Sequence, residues 1–99
     1  MQFLVLAWDK TDDEGVARRD AARAAHTETI TVLHEAGHVL LGAGILDDAG
    51  VVRGSLIVMD LPDRAAVEAY LAGEPFQTAG VWERVEVHPL RVPPMDLGR

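Results

Sequence analysis

The segment RRDAARAAHTETITVLHEAG, residues 18–37, decides the fold of this 99-residue chain, because it is the one stretch long enough for about five turns of helix. Its apolar positions recur at helical spacing and form one stripe, made of Ala22, Ile30, Leu33 and Ala36. His26 precedes Ile30 by four residues, so the pattern places this ring on the inward stripe. A titratable ring that faces a core needs a partner or a chemical role.

On either side of this helix, the sequence predicts four strands and a second helix. The strands are the apolar or alternating segments 2–8, 39–46, 54–59 and 82–90. Gly37 is the predicted stop of the first helix, and Asp63 is the predicted N-cap of the second, which ends at Gly73. The order β-α-β-β-α-β predicts an α+β, ferredoxin-like fold with a four-stranded antiparallel sheet and both helices on one face.

That arrangement leaves one face of the sheet without cover from within the chain. Segments 2–8 and 54–59 are apolar at successive positions, so both faces of these strands are apolar. We therefore expect a homodimer whose two sheets pack together as an α/β barrel. We expect a single domain over residues 1–99, with the proline-rich segment 91–99 as an extended C-terminal arm.

Composition narrows the classes of partner. The net charge of −7 argues against nucleic acid and anionic membranes as partners, and the one basic cluster consists of Arg18, Arg19 and Arg23. The absence of cysteine excludes disulfides, thiolate chemistry and cysteine-ligated metals. The apolar run at the start is shorter than a signal peptide or a membrane span requires, which predicts a cytoplasmic protein.

Several short motifs follow one another in order along the chain. Arg23 and His26 form R-x-x-H in the first helix, and Gly37 ends that helix. The remaining motifs are GAGIL at 42–46, GSLIVMD at 54–60, EPF at 74–76 and VEVHPLRV at 85–92. In this order and spacing they resemble the YciI-like family of the dimeric α/β-barrel superfamily, over nearly the whole chain. The resemblance implies a compact dimer.

The resemblance also implies a catalytic pair of a histidine and a carboxylate. The histidine corresponds to His26, and the acid of the family's D-P-[FY] motif corresponds to Glu74, one methylene longer. A carboxylate that accepts from one ring nitrogen fixes the tautomer and raises the basicity of the other nitrogen. A branch of the family removes chloride from a chlorinated hydroxyhydroquinone, and the superfamily includes muconolactone isomerases and small monooxygenases. These relatives imply a lyase or isomerase that acts on a small ring compound without a cofactor.

An alternative is a structural bridge between His26 and Glu74 in a non-catalytic dimer that binds a ligand or a partner protein. Four residues near the pair are candidates for substrate contact, namely Arg23, Trp8, Tyr70 and Phe76. The competing interpretation places Arg18, Arg19 and Arg23 on a solvated helix face and the aromatic rings in the core. Ser55 is interpreted as an ordinary strand residue.

The motif HEAGH, residues 34–38, matches the H-E-x-x-H signature of zinc proteases. That chemistry requires both histidines on one helical face and a third ligand. Because Gly37 is the predicted helix stop, His38 is expected to begin a strand and to point away from His34. A zinc hydrolase is therefore a remote alternative, and we expect no metal site.

Overall fold

The computed structural model describes residues 1–94. Its elements are β1 (Gln2–Asp9), α1 (Gly15–Glu35), β2 (Val39–Leu46), β3 (Val52–Asp60), α2 (Arg64–Gly73), α3 (Pro75–Thr78) and β4 (Trp82–Leu90). The predicted βαββαβ order is confirmed, and the short α3 lies in the connector after α2. Of the predicted C-terminal arm, residues 91–94 form no helix or strand, and residues 95–99 lie outside the described residues.

The four strands form one antiparallel sheet in the order β2-β3-β1-β4. The central strand β1 pairs on both sides, so that Val5 lies opposite Ile57 of β3 and Val87 of β4. The ferredoxin-like, α+β fold predicted from the element order is therefore confirmed.

Burial along β1 alternates strictly, which shows how the sheet uses its two faces. Phe3, Val5 and Ala7 are buried in the core together with Ala22 of α1 and Val67 of α2. The intervening positions of β1 are only partly buried. Both helices thus contribute to a core on one face of the sheet. The partial burial of the intervening positions agrees with the expectation that one face of the sheet lacks cover from within the chain.

The inward stripe of α1 follows the prediction with one exception. Ala22 is buried, and Ile30 and Leu33 pack against the core. Ala36 is exposed, because α1 ends at Glu35 and Ala36 is the C-cap residue. Its assignment to the inward stripe was therefore wrong.

The predicted ends of both helices are confirmed. Gly37 has a φ of 82°, a left-handed conformation that glycine adopts without steric cost, and it turns the chain from α1 into β2. The Asp63 side chain accepts a hydrogen bond from the backbone N–H of Ala66 at 2.9 Å, as an N-cap does. Among residues 1–94, no helix combines the length and the apolar character that crossing a bilayer requires.

Candidate active site

Glu74 is a fully buried carboxylate at the junction of α2 and α3. Its Oε1 accepts from the backbone N–H of Phe76 at 3.2 Å, which makes Glu74 the N-cap of α3. The Tyr70 hydroxyl donates to Oε2 from one turn earlier, in α2. The Nδ1 atom of His26 lies 2.5 Å from Oε1. Three donors therefore satisfy a group whose burial is otherwise strongly unfavourable.

The His26 ring is held by a stacking contact as well as by Glu74. Its centroid lies 3.9 Å from that of Phe76, with an angle of 14° between the planes. Because a carboxylate oxygen only accepts, the contact assigns the hydrogen of a neutral ring to Nδ1 and leaves Nε2 as the acceptor. The side chain is 16% exposed, and its Nε2 makes no hydrogen bond to residues 1–94. We call His26, Glu74 and Tyr70 the imidazole cluster.

A cavity of about 440 Å³ lies between α1 and strands β2 and β3, and His26 forms part of its wall. The α1 wall consists of Arg19, His26, Thr27, Ile30, Thr31 and His34. Gly42 of β2 faces this helix, because a Cβ built on it would meet only the Ile30 Cγ2 atom, at 3.9 Å. The missing side chain at Gly42 therefore leaves room in the cavity.

A second polar cluster lies on the same side of the sheet. Arg19 Nη1 donates to both carboxylate oxygens of Asp9 at 2.8 Å, and Nη2 donates to the Ser55 hydroxyl at 3.0 Å. Asp9 and Ser55 are buried, and Arg19 is 11% exposed. The Arg19 guanidinium also lies 4.5 Å from the centroid of the Phe76 ring. We call Arg19, Asp9 and Ser55 the guanidinium cluster.

Sequence reasoning missed the guanidinium cluster, since it assigned Arg19 to a solvated face and Ser55 to an ordinary strand position. One signal was available in the spacing, because Arg19 precedes His26 by seven residues and thus lies two turns earlier on the same stripe. Asp9 also continues the alternating inward positions of β1.

Arg23 lies apart from the predicted pair. Its side chain is 63% exposed and donates to Asp20, one turn away on α1. It does not line the cavity beside His26, and it makes no ion pair with Glu74. The alternative of a solvated helix face describes its position.

Trp8 also lies away from the predicted site. It occupies an intervening position of β1, opposite Gly54 and Arg84, and it lines a separate cavity of about 500 Å³. The helix-facing residues of β1 have the other parity, so Trp8 does not reach the cavity beside His26.

Tyr70 and Phe76 lie at the site but not in the cavity wall. Phe76 is 1% exposed and contacts the His26 ring, and Tyr70 donates to Glu74. Burial, together with the hydrogen bond to Glu74, raises the pKa of the Tyr70 hydroxyl far above its ordinary value. Tyr70 is therefore a hydrogen-bond donor at neutral pH, and both aromatic residues orient the pair.

The two histidines of HEAGH have different environments. His34 lies in the last turn of α1, and its Nδ1 donates to the Val39 carbonyl at 2.8 Å. His38 follows the turn at Gly37, and its Nδ1 lies 3.2 Å from the Asp60 carbonyl. The predicted break between them is confirmed. Residues 1–94 contain no group of three or more His, Cys, Asp or Glu side chains suited to a metal ion.

Comparison with known proteins shows one family and one fold. The YCII-related domain matches residues 1–91. Protein YciI of Escherichia coli O6:H1 strain CFT073 and of Shigella flexneri are each 31% identical over 98 residues, covering 92% of this chain and 97% of the relative.

Solved structures share the fold at lower identity. One is 5-chloro-2-hydroxyhydroquinone dehydrochlorinase (TftG) from Burkholderia phenoliruptrix AC1100 in complex with 2,5-dihydroxybenzoquinone, with a TM-score of 0.81 at 22% identity over 92% of this chain and 94% of that one. Another is an antibiotic biosynthesis monooxygenase, with a TM-score of 0.53 at 17% identity over 94% of this chain and 98% of that one. The domain match and the identity to protein YciI together show that this chain belongs to the YCII-related family.

Proposed function

We propose that this protein is a small enzyme that moves a proton on a ring compound without a cofactor, as a lyase or isomerase. His26 is the general acid/base, and Glu74 is the carboxylate that orients it. One observation carries the proposal: a fully buried carboxylate lies 2.5 Å from Nδ1 of an imidazole that lines a cavity of about 440 Å³. Membership of the YCII-related family and the shared fold with a dehydrochlorinase support it.

The chemistry follows from the orientation of the imidazole. Nε2 takes a proton from a C–H or O–H group of the bound ring, and the resulting imidazolium is stabilised by the Glu74 carboxylate. Return of the proton to another carbon of the ring gives an isomerisation. Departure of a leaving group with its bonding electron pair from the adjacent carbon gives an elimination. Tyr70 and the Phe76 backbone N–H keep the carboxylate in place during either step.

The walls of the cavity favour a flat and partly apolar ligand. On the sheet side, Leu40 and Ile57 are apolar and Gly42 presents only backbone. On the helix side, Thr27 and Thr31 offer hydroxyl groups. Such a combination of apolar walls and few polar groups is typical of small-molecule sites of this size.

Hydrogen–deuterium exchange on a ring compound tests the proposal without knowledge of the full reaction. The probe is 2,5-dihydroxybenzoquinone in D₂O, and proton NMR follows the loss of its ring hydrogens. We expect the protein to accelerate the exchange. His26→Gln and Glu74→Gln should each reduce the acceleration by about 10²–10⁴-fold, the usual contribution of a general base.

His38→Gln is the matched control, because His38 is an exposed histidine after α1 that does not line the cavity. It should retain the full rate. Equal acceleration by the normal protein and by His26→Gln would exclude His26 as the acid/base.

The alternative is a dimer that binds a ligand in this cavity without chemistry. The contacts of His26 with Glu74 and Phe76 favour this binding protein in one respect, since they also link α1 to α3. A thermal-shift response to the probe without any exchange above the solvent rate would favour this binding protein over the enzyme.

We also propose that two copies of the chain pack through the uncovered face of the sheet. Leu4, Leu6 and Leu56 are partly buried positions on that face, and Leu41 of β2 is 45% exposed. An apolar sheet face of this kind is typical of an interface. Light scattering during size exclusion should give twice the chain mass, and Leu6→Arg should give the monomer. Ala69→Arg, at an exposed position on α2, is the control.

A further inference from the structure

We infer that His34 is a second acid/base group of the cavity, at the opposite end from His26. The inference rests on the proposed function and extends it to a residue of the HEAGH motif. The H-E-x-x-H spacing of a zinc protease is not kept on one helix here, because α1 ends at Glu35, before His38. It nevertheless lines the same cavity as His26.

The backbone holds His34 in the same protonation pattern that Glu74 imposes on His26. Its Nδ1 lies 2.8 Å from the Val39 carbonyl oxygen, which can only accept a hydrogen bond. The hydrogen of the neutral ring is therefore on Nδ1, and Nε2 carries the lone pair. Both imidazoles thus present an unoccupied Nε2 acceptor to a ligand. Neither Nε2 makes a hydrogen bond to any residue in 1–94.

The positions of the two histidines on α1 limit the ligand that they would share. His34 follows His26 by eight residues on α1, which corresponds to about 12 Å along the helix axis. A ligand that contacts both rings therefore carries a polar group at each end. Gly42 leaves the space between the two histidines open on the sheet side.

One imidazole at each end of the cavity permits proton transfer from one end of a bound ring compound to the other. His26 accepts a proton from the ligand at one end, while the imidazolium form of His34 donates a proton at the other. The ligand keeps its proton count and its electrons and emerges as a tautomer. His34 is exposed and recovers its proton directly from water, and His26 releases its proton to water when the product leaves.

Two amide variants separate this role from a structural one. In His34→Asn, the amide nitrogen takes the place of Nδ1, so the hydrogen bond to Val39 is kept and Nε2 is lost. In His34→Gln, the amide nitrogen takes the place of Nε2, and the hydrogen bond to Val39 is lost. A purely structural His34 predicts that Asn is tolerated. An acid/base role predicts that His34→Asn folds normally and is impaired in exchange.

The experiment uses the whole protein, labelled with ¹⁵N, and 2,5-dihydroxybenzoquinone as the probe. Long-range ¹H–¹⁵N spectra should show shifts of Nε2 in both His26 and His34 on saturation, with no shift in His38 or His88. His34→Asn should keep the normal melting temperature and reduce the ring-hydrogen exchange rate at least tenfold.

The outcomes distinguish this inference from the proposed function. A shift at His26 alone, with full exchange in His34→Asn, overturns the role of His34 and leaves the role of His26 standing. Shifts at neither ring, with exchange that survives His26→Gln, overturn both.

Discussion

The imidazole cluster and the guanidinium cluster both contact the Phe76 ring, and they satisfy their buried charges in different ways. In the guanidinium cluster, Arg19 donates to Asp9 and Ser55 through both terminal nitrogens, so the buried Asp9 carboxylate has a cation beside it. In the imidazole cluster, Glu74 binds three donors, and one ring nitrogen of His26 has no hydrogen-bond partner among residues 1–94. The two clusters therefore hold a buried carboxylate in two ways, one with a guanidinium and the other with an imidazole, a phenol and a backbone N–H.

This difference supports the proposed role of the imidazole cluster in catalysis. An arginine that is bound to a buried carboxylate and a hydroxyl stabilises a particular packing of α1 on the sheet. A ring that is fixed on one side and free on the other is arranged for proton transfer. We therefore propose that the guanidinium cluster positions the helix and that the imidazole cluster acts on the ligand.

The largest expected effect comes from breaking the guanidinium cluster. Arg19→Met leaves the buried Asp9 carboxylate without its cation, which should cost about 3–5 kcal/mol of the free energy of unfolding. Urea unfolding measures this loss. The double variant Arg19→Met/Asp9→Leu should regain most of it, because no unpaired charge stays buried. A loss below about 1 kcal/mol in the single variant would show that the pair is not a buried structural one.

Tyr70→Phe tests the imidazole cluster. Glu74 loses one buried donor, and the free energy of unfolding should fall by about 2 kcal/mol at neutral pH. The proton-exchange rate should fall less than it does in Glu74→Gln, because Nδ1 of His26 keeps its partner. A larger loss of exchange than in Glu74→Gln would contradict the orienting role of Glu74.

Tyr70 also gives the protein a defined response to alkali. Its folded-state pKa is raised above the ordinary value of 10.0 by burial and by Glu74. Above pH 10 the unfolded chain releases the phenolic proton first, so the contribution of Tyr70 to stability is complete below that pH and is lost above it. Because Tyr70 is the one tyrosine in the chain, absorbance at about 295 nm should show no ionisation before alkaline unfolding. An ordinary titration near pH 10 in the folded protein would refute the buried hydrogen bond.

Gly42→Val should close the cavity without disturbing either cluster. The new side chain extends toward Ile30, where only the Cγ2 atom lies within 4 Å of a Cβ. The probe should bind at least tenfold more weakly, which corresponds to about 1.4 kcal/mol, and the fold should be retained. Gly42→Ala should have a smaller effect. Normal affinity in Gly42→Val would place the ligand elsewhere.

The smallest effect is expected at Arg23. Its pair with Asp20 is exposed, so Arg23→Ala should change the free energy of unfolding by less than about 0.5 kcal/mol. Proton exchange on the probe should also be unchanged. A clear loss of exchange in Arg23→Ala would instead support Arg23 as a substrate contact.

Local patterns in the sequence predicted most of the fold. The bounds of β2 and β4, the helix stop at Gly37 and the N-cap at Asp63 depend on neighbouring residues, which the sequence displays directly. The pairing of His26 with Glu74 was predicted through the family resemblance. Their side chains are 48 residues apart, and periodicity alone does not bring them together.

The guanidinium cluster could not be predicted in the same way. Its members come from β1, α1 and β3, and only the sheet register places Ser55 opposite Ala7, two residues before Asp9. An arginine on a helix is normally solvated, so its burial becomes evident only when the tertiary partner is known. The position of Trp8 has a similar explanation. The face of the sheet on which it lies depends on which alternate positions of β1 face the helices.

Glu74 caps α3 with the same carboxylate oxygen that contacts His26. Unravelling of residues 74–78 would therefore withdraw the carboxylate from the ring while the sheet is still intact. The protein should lose proton transfer through this local opening at a lower temperature than it loses its fold. Amide exchange in α3 would report the fraction of molecules in which the site is assembled.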